Sequence, residues 1–467
     1  MLKKVIAGLL CLMLVCGLFA CKKSEEPKEK EVETLSKFTD IDFFKDVPAI
    51  DGDIIAVLDA ADYGSLDFVL ALQGIGMDNY QDYIELLKDS GYNVYADNGP
   101  DGIGKSIYST YFTKDDLILV VSYMPNTMKA YIYATKDKAL SPRLIYDDSY
   151  VAGNIEGAKT TLTMHQLGEG GGNSYILQLK NGHFIINDGG DMEEYPALLD
   201  YLKSLTPEGE KPYIEGWFIS HAHGDHAGFM RRMSYSYASE VIVEGFYYNA
   251  VSDAVAEKLG ENSLLDVIPD KMTMFTDAQD NVTPIYRSHA GDRYYFSDIN
   301  IEVLHTTEQL LLDDYVDNYN VSSTWLLYNI EGQKFLNAAD AEVVNIRIVA
   351  ETMDQSYMDL DMMNVNHHGV NIDLENLDYY KCETLLYSGW CTYTIYYPQE
   401  IRDGMLKMQD EYCEEYMSYV YGSIVLEFPY TVGSYRTLPS LHPDFTTHYT
   451  ERSIQWMKDI GRSDLPR

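Results

Sequence analysis

Within six residues, His221, His223, Asp225 and His226 bring together three imidazoles and a carboxylate. Zinc and related divalent ions take donors of these two kinds. The group follows Trp217-Phe218-Ile219, an apolar run that reads as a buried strand reaching its end, and Ala222 and Gly224 leave room for a tight turn. Packing gives no reason to collect so many polar groups at the end of a core strand, because buried polar groups need partners. Metal ions would supply them. In an extended turn, His221 and His223 can face one ion while Asp225 and His226 face a neighbour.

The pattern H-x-H-x-D-H after an apolar strand resembles the metallo-β-lactamase superfamily, and the resemblance spans roughly residues 160–430. Asn173 to Leu177 and Phe184 to Gly190 are similar to that fold's first hairpin, with its Asp-Gly turn. Lys334 to Glu342 is similar to the strand that delivers a metal-bridging Asp, and Met363 to Gly369 to the strand that delivers the last His. The His367-His368-Gly369 form and Asn320-Val321-Ser322-Ser323-Thr324-Trp325 are most similar to the branch that holds ComEC-type hydrolase domains and secreted phosphorylcholine esterases.

The resemblance implies an α/β fold, a four-layer αββα sandwich over residues 160–435, and two divalent metal ions, zinc or alternatively manganese. His221 and His223 would hold the first ion, Asp225 and His226 the second, and Asp340 both. His368 would complete the second site, since the superfamily ligand precedes a small residue and Gly369 follows it. His367 is then left to support a ligand or face the substrate, and Asp188 to orient a ligand imidazole. The catalytic set expected is Asp225, Asp340, Asp188 and His367. One departure stands out: Asn320 occupies the slot where many members carry a third His for the first metal, and His305 is the alternative donor. The implied activity is hydrolysis of a phosphoester or phosphodiester by a metal-bridging hydroxide. The alternatives are hydrolysis of an acyl bond (a β-lactam or lactone) and ligand binding without turnover.

A chain of 467 residues with 46% hydrophobic content is long enough for two or three domains with real cores. Its net charge of −38 repels polyanions at long range, and no Lys/Arg cluster occurs beyond the first thirty residues. Nucleic acid is therefore disfavoured as a partner, although two metals would make a local positive site. At the N-terminus, Lys3 and Lys4 precede an apolar run that ends Leu18-Phe19-Ala20-Cys21, resembling a bacterial lipobox. Residues 1–21 are expected to be a lipoprotein signal peptide with Cys21 lipidated. Residues 22–38 are expected to be a flexible tether, placing the body on the outer face of a bacterial membrane. Of the remaining cysteines, Cys382, Cys391 and Cys413 allow at most one disulfide, with Cys382–Cys391 the candidate.

Residues 39–150 read as a small α+β domain, and residues 436–467 as a C-terminal extension. Tyr80, Tyr83, Ile84 and Leu87 share a helical face, with a stop at Asp89-Ser90-Gly91. Lys105 to Phe112, Leu117 to Tyr123 and Lys129 to Ala134 read as a meander. No His or Cys occurs between positions 22 and 164, so a spacer role is expected. Gly168 to Gly172 lacks the Lys-Ser/Thr of a phosphate loop and precedes a strand, which suits a tight entry into the hairpin. His165, His183, His289, His442 and His448 stand alone without ligand spacing. Tyrosine is abundant, 40 residues against 15 Phe, and is expected mostly on half-buried strands.

Overall fold

The computed structural model describes residues 44, 46–59, 68–99, 107–136, 139–168, 172–249, 267–310, 318–354, 358–389, 399–419 and 422–442, with isolated positions between 444 and 459. Cys21, the tether, Cys391 and His448 lie outside these residues.

The first sheet is antiparallel, ordered β1 (Asp53–Asp59), β2 (Phe68–Gln73), β6 (Lys129–Lys136), β5 (Leu117–Met124), β4 (Tyr108–Lys114), β3 (Asn93–Asn98). Helix α1 (Met77–Asp89) lies on one face, where its buried Tyr80, Tyr83, Ile84 and Leu87 meet Leu70, Leu72, Leu119 and Val121. These are the four helix residues that the spacing selects. Alternation along the strands sends Val69, Ala71, Val120, Tyr131 and Tyr133 to the opposite face, into a different cluster. That cluster also fills the space between the two larger sheets. The sheet is thus distinct in its pairing, but one of its faces belongs to the core of the body.

The second sheet has nine strands, running β13 (Ile285–Tyr286), β12 (Phe246–Tyr248), β10 (Tyr213–Ile219), β9 (Phe184–Asp188), β8 (Ser174–Gln178), β7 (Thr161–Met164), β21 (Ile424–Glu427), β22 (Arg436–Thr437), with β11 (Ile242–Val243) also on β10. The third has seven: β14 (Arg293–Phe296), β15 (Ile299–His305), β16 (Trp325–Ile330), β17 (Gln333–Asn337), β18 (Leu360–Asn364), β19 (Cys382–Tyr387), β20 (Glu415–Ser418). In β10, Phe218 joins the inter-sheet core, while Trp217 and Ile219 point to helices α2 (Tyr195–Ser204) and α3 (Gly224–Ser236). Helices α4 (Val343–Thr352) and α5 (Gln399–Glu411) add Ile346, Val349, Met405 and Met408 to the larger cluster.

Contacts join the segments expected from the sequence. Strand β22 begins at Arg436 and pairs with β21, and the Ser440 hydroxyl and Leu441 backbone N–H donate to Gln166 Oε1 at 3.0 and 2.9 Å, so the segment after 435 continues the second sheet. The small sheet is also tied to the body by polar contacts. Asp292 is fully buried and accepts from Tyr111 (2.7 Å), Tyr294 (2.9 Å) and Ser109 (3.2 Å).

Candidate metal centre

Strand β10 ends at Ile219, and the next residue is fixed before the ligands begin. Ser220 donates its backbone N–H to Asp188 Oδ1 at 2.7 Å and its hydroxyl to Asp188 Oδ2 at 2.8 Å. Asp188 stands at the end of β9 with φ 61°, and its carbonyl accepts from Trp217 Nε1 at 2.9 Å. Asn173 Nδ2 donates to the same carboxylate at 3.1 Å. Helix α3 then starts at Gly224 and carries Asp225 and His226 in its first turn. Its position depends on Gly228, where a Cβ would come within 2.7 Å of the Asp191 and Met192 backbone.

The imidazoles of His226 and His368 are each oriented through Nδ1. A carboxylate only accepts, so His226 donates Nδ1–H to Asp188 Oδ2 at 2.8 Å. This leaves Nε2 facing Asp340 Oδ1 at 3.0 Å. His368 donates Nδ1–H to the Ser388 carbonyl at 2.7 Å, and its Nε2 lies 3.3 Å from Asp340 Oδ1 and 3.6 Å from Asp225 Oδ2. His221 Nδ1 lies 3.1 Å from Ser220 Oγ and 3.4 Å from Ser323 Oγ, and its Nε2 lies 3.1 Å from His223 Nδ1. The turn after β17 presents Asp340, with Ala339 at φ 46° and its carbonyl accepting from the His367 backbone at 2.9 Å. His367 and His368 are both left-handed, at φ 46° and 50°.

Two donor groups result, each with ligand atoms within 4.8 Å of one another: Asp225, His226, Asp340 and His368, and separately His221, His223 and Asp340. Asp340 belongs to both. Fit to a cation can be judged from the buried atoms. His226 Nε2 and Asp340 Oδ1 are shielded from solvent and have no hydrogen-bond partner, although they lie 3.0 Å apart. Orphaned polar atoms of this kind cost roughly 1–3 kcal/mol each, more when charged. A divalent ion between them satisfies both, so the residues fit one. A buried His/Asp cluster of this kind suggests a metal-dependent enzyme.

The charges reinforce one another. Burial opposes protonation of His368, but Asp340 and Asp225 beside it overcome this and push the imidazole up to about 10. Burial likewise opposes ionisation of Asp340, yet His226, His368 and His367 hold its carboxyl well below the usual range. His221 is pushed well down by burial and by neighbouring His226, so it stays neutral, as a ligand must.

The other expected residues fall as follows. Asn320 lies in a short 3-10 turn (Asn320–Ser322), its Nδ2 3.2 Å from His367 Nε2. His305 does not join the centre: it is fully buried, with Nε2 accepting from Asn345 Nδ2 at 2.9 Å and its ring against Trp325. The lone histidines include three with acidic partners, His183 with Glu215, His289 with Glu308 and His442 with Glu194. His165 is pushed down to about 4 by burial. Cys382 is buried as a free thiol. Sequence reasoning missed Ser220, Ser323 and Asn173 as supports. It also missed the Ser388 carbonyl, which holds His368.

No protein-family model matches the chain, and no curated protein matches its sequence. Among solved structures, the metallo-β-lactamase fold protein YhfI from Bacillus subtilis is 13% identical over 58% of this chain and 100% of its own, with a TM-score of 0.35. A metallo-β-lactamase with a HARLDQ motif from Cronobacter sakazakii is 17% identical over 42% of this chain and 71% of its own, with a TM-score of 0.28. Zn(2+)-bound PqqB from Methylobacterium extorquens is 9% identical over 44% and 72%, with a TM-score of 0.29. The chain is thus distantly similar in structure to metallo-β-lactamase fold proteins.

Proposed function

We propose that the chain is a dinuclear metallohydrolase that cleaves a phosphoester or phosphodiester, carried on the outer face of a bacterial membrane by lipidated Cys21. The observation that carries the hydrolytic reading is the sharing of Asp340 between two donor groups. It would hold two cations side by side, the arrangement suited to clamping both the attacking and the leaving oxygens of an in-line displacement. Zinc or manganese, when bound, would supply Lewis acidity and a water acidic enough to act as nucleophile near neutral pH. The chain's own residues fix the geometry: Asp188 and the Ser388 carbonyl hold the Nδ1 protons of His226 and His368, so both rings present Nε2. Asp225 and His367 are partly exposed, at 28% and 19% of their side chains, which puts the accessible side of the centre at these two residues. The lipobox-like segment and the basic residues before it support the anchoring.

The test is hydrolysis of a chromogenic phosphodiester by the full chain in detergent, loaded with zinc or manganese, beside an Asp340→Ala variant. Metal-dependent turnover lost in the variant supports the reading. Two bound metals with no turnover would sink it, and turnover of a lactam or lactone instead would put the acyl reading in its place.

A further inference from the structure

The two donor groups are unequal. The group around His226 has four side chains, and the group around His221 has three: His221, His223 and Asp340. The segment that carries Asn320 borders this smaller group through its neighbours in the chain. The preceding residue, Tyr319, packs its ring edge-on against His223 at 5.6 Å, and Ser323 reaches His221 Nδ1 at 3.4 Å. Its amide touches His367, whose Nε2 lies 3.8 Å from Asp340 Oδ2, while His226 and His368 face the other oxygen of Asp340. The amide oxygen of Asn320 is shielded from solvent and has no hydrogen-bond partner.

The His367 ring decides which end of the amide faces inward. Its two nitrogens meet the terminal amides of Asn320 at 3.2 Å and Asn371 at 2.8 Å. A neutral imidazole has one N–H and one lone pair, so one amide must present NH2 and the other oxygen. Turning the half-exposed Asn371 amide strands no buried atom. Turning Asn320 would only exchange its stranded oxygen for a stranded NH2, which a cation cannot satisfy. The consistent arrangement has Asn320 Nδ2 donating to His367 Nε2, and His367 donating Nδ1–H to Asn371.

We propose that Asn320 is a ligand of the first metal through its amide oxygen, and that His367 is a positioning residue that holds the amide in that orientation. The adjacent histidines then divide the work. His368 binds metal through Nε2, and His367 uses Nε2 to accept from a ligand. The first site carries a neutral oxygen donor where imidazole would be softer, so it is the weaker and harder of the two, and it sets the preference between zinc and manganese.

This inference rests on the cluster holding metal but not on any substrate, so it is tested by binding alone. The full chain is titrated with Co2+, Zn2+ and Mn2+, following heat and the visible Co2+ absorption. Wild type is expected to bind two ions with separate constants. Asn320→Ala should weaken the weaker site and leave the stronger unchanged. His367→Ala should weaken the same site by a smaller factor, about 10- to 100-fold. Asn320→His should tighten zinc over manganese at that site, which keeps the test decisive if the alanine variant folds poorly. Unchanged constants in both Asn320 variants would overturn the proposal and leave the amide oxygen to a buried water. Failure of wild type to bind any metal would overturn the metallohydrolase reading itself.

Discussion

Asp188 accepts the Nδ1 proton of His226 at 2.8 Å, and neither side chain has any exposure to solvent. The carboxylate also holds Ser220 by both its N–H and its hydroxyl, so one residue fixes the end of β10 and the tautomer of a ligand. Asp188→Ala leaves these buried donors unmatched. It should cost about 3–5 kcal/mol of stability and weaken the second metal site about 10- to 100-fold. Thermal melts with and without zinc measure the first effect, and metal titration the second. A variant that melts and binds as wild type does would show Asp188 to be dispensable.

Metal binding at the second site should release protons at neutral pH. His368 is raised to about 10 in the metal-free protein: burial opposes its charge, and Asp340 and Asp225 favour it more strongly. A raised folded value means that the imidazolium stabilises the metal-free fold fully below about pH 6.5, and that this support is lost as pH rises through about 10. The metal needs the neutral ring, so it must expel this proton. Affinity should climb by up to about tenfold per pH unit for each proton released. Calorimetry in buffers of different protonation heat counts the protons, and a count of zero at pH 7 would contradict the charge assignment.

A substitution that touches no donor atom should still damage the centre. A Cβ at Gly228 would lie 2.7 Å from the backbone of Asp191 and Met192, which cannot yield as a flexible side chain would. Gly228→Ala should therefore push α3 outward, at a cost of about 1–3 kcal/mol, and carry Asp225 and His226 with it. The expected result is a lower melting temperature together with weaker binding at the second site. Full metal affinity in this variant would mean that the Asp191 loop moves instead.

The motif was legible because His221, His223, Asp225 and His226 are neighbours in sequence, while Asp340 and His368 were found by resemblance. Asp188 was also expected by resemblance, but the supports Ser323, Ser388 and Asn173 were not, since they lie on three other connections and nothing local in the chain announces them. His305 misled for a related reason. It sits at the correct end of β15, but its ring turns into the core against Trp325. The meander of the first sheet was visible in its alternation, but its shared core was not inferred. The clue was present: β5 reads Leu117-Ile118-Leu119-Val120-Val121, a continuous apolar run, as expected of a strand covered on both faces.

The small sheet should unfold together with the body. Tyr111 lies on β4 of the small sheet, and its hydroxyl donates to Asp292 of the body at 2.7 Å with both groups buried. Tyr111→Phe removes one donor from a buried carboxylate and should cost about 1–3 kcal/mol. The loss should appear as a shift of one common transition in calorimetry. Two separate transitions would show that the sheet folds on its own.

Among the described non-glycine residues with left-handed backbone, Asp115, Met128, Ser297 and Glu331 lie in strand-connecting turns, but Asp188, Ala339, His367 and His368 lie at the centre. Each such conformation costs roughly 1–3 kcal/mol. The three loops that carry them are therefore drawn toward relaxation whenever the cations that the centre would hold are withdrawn. The consequence is a gradient of opening free energy across one molecule. In hydrogen exchange, the metal-free protein should lose protection first at the amides of Gly189, Ala341 and Val370, while β5 and β16 stay closed. Loading with metal should slow those three amides far more than any others.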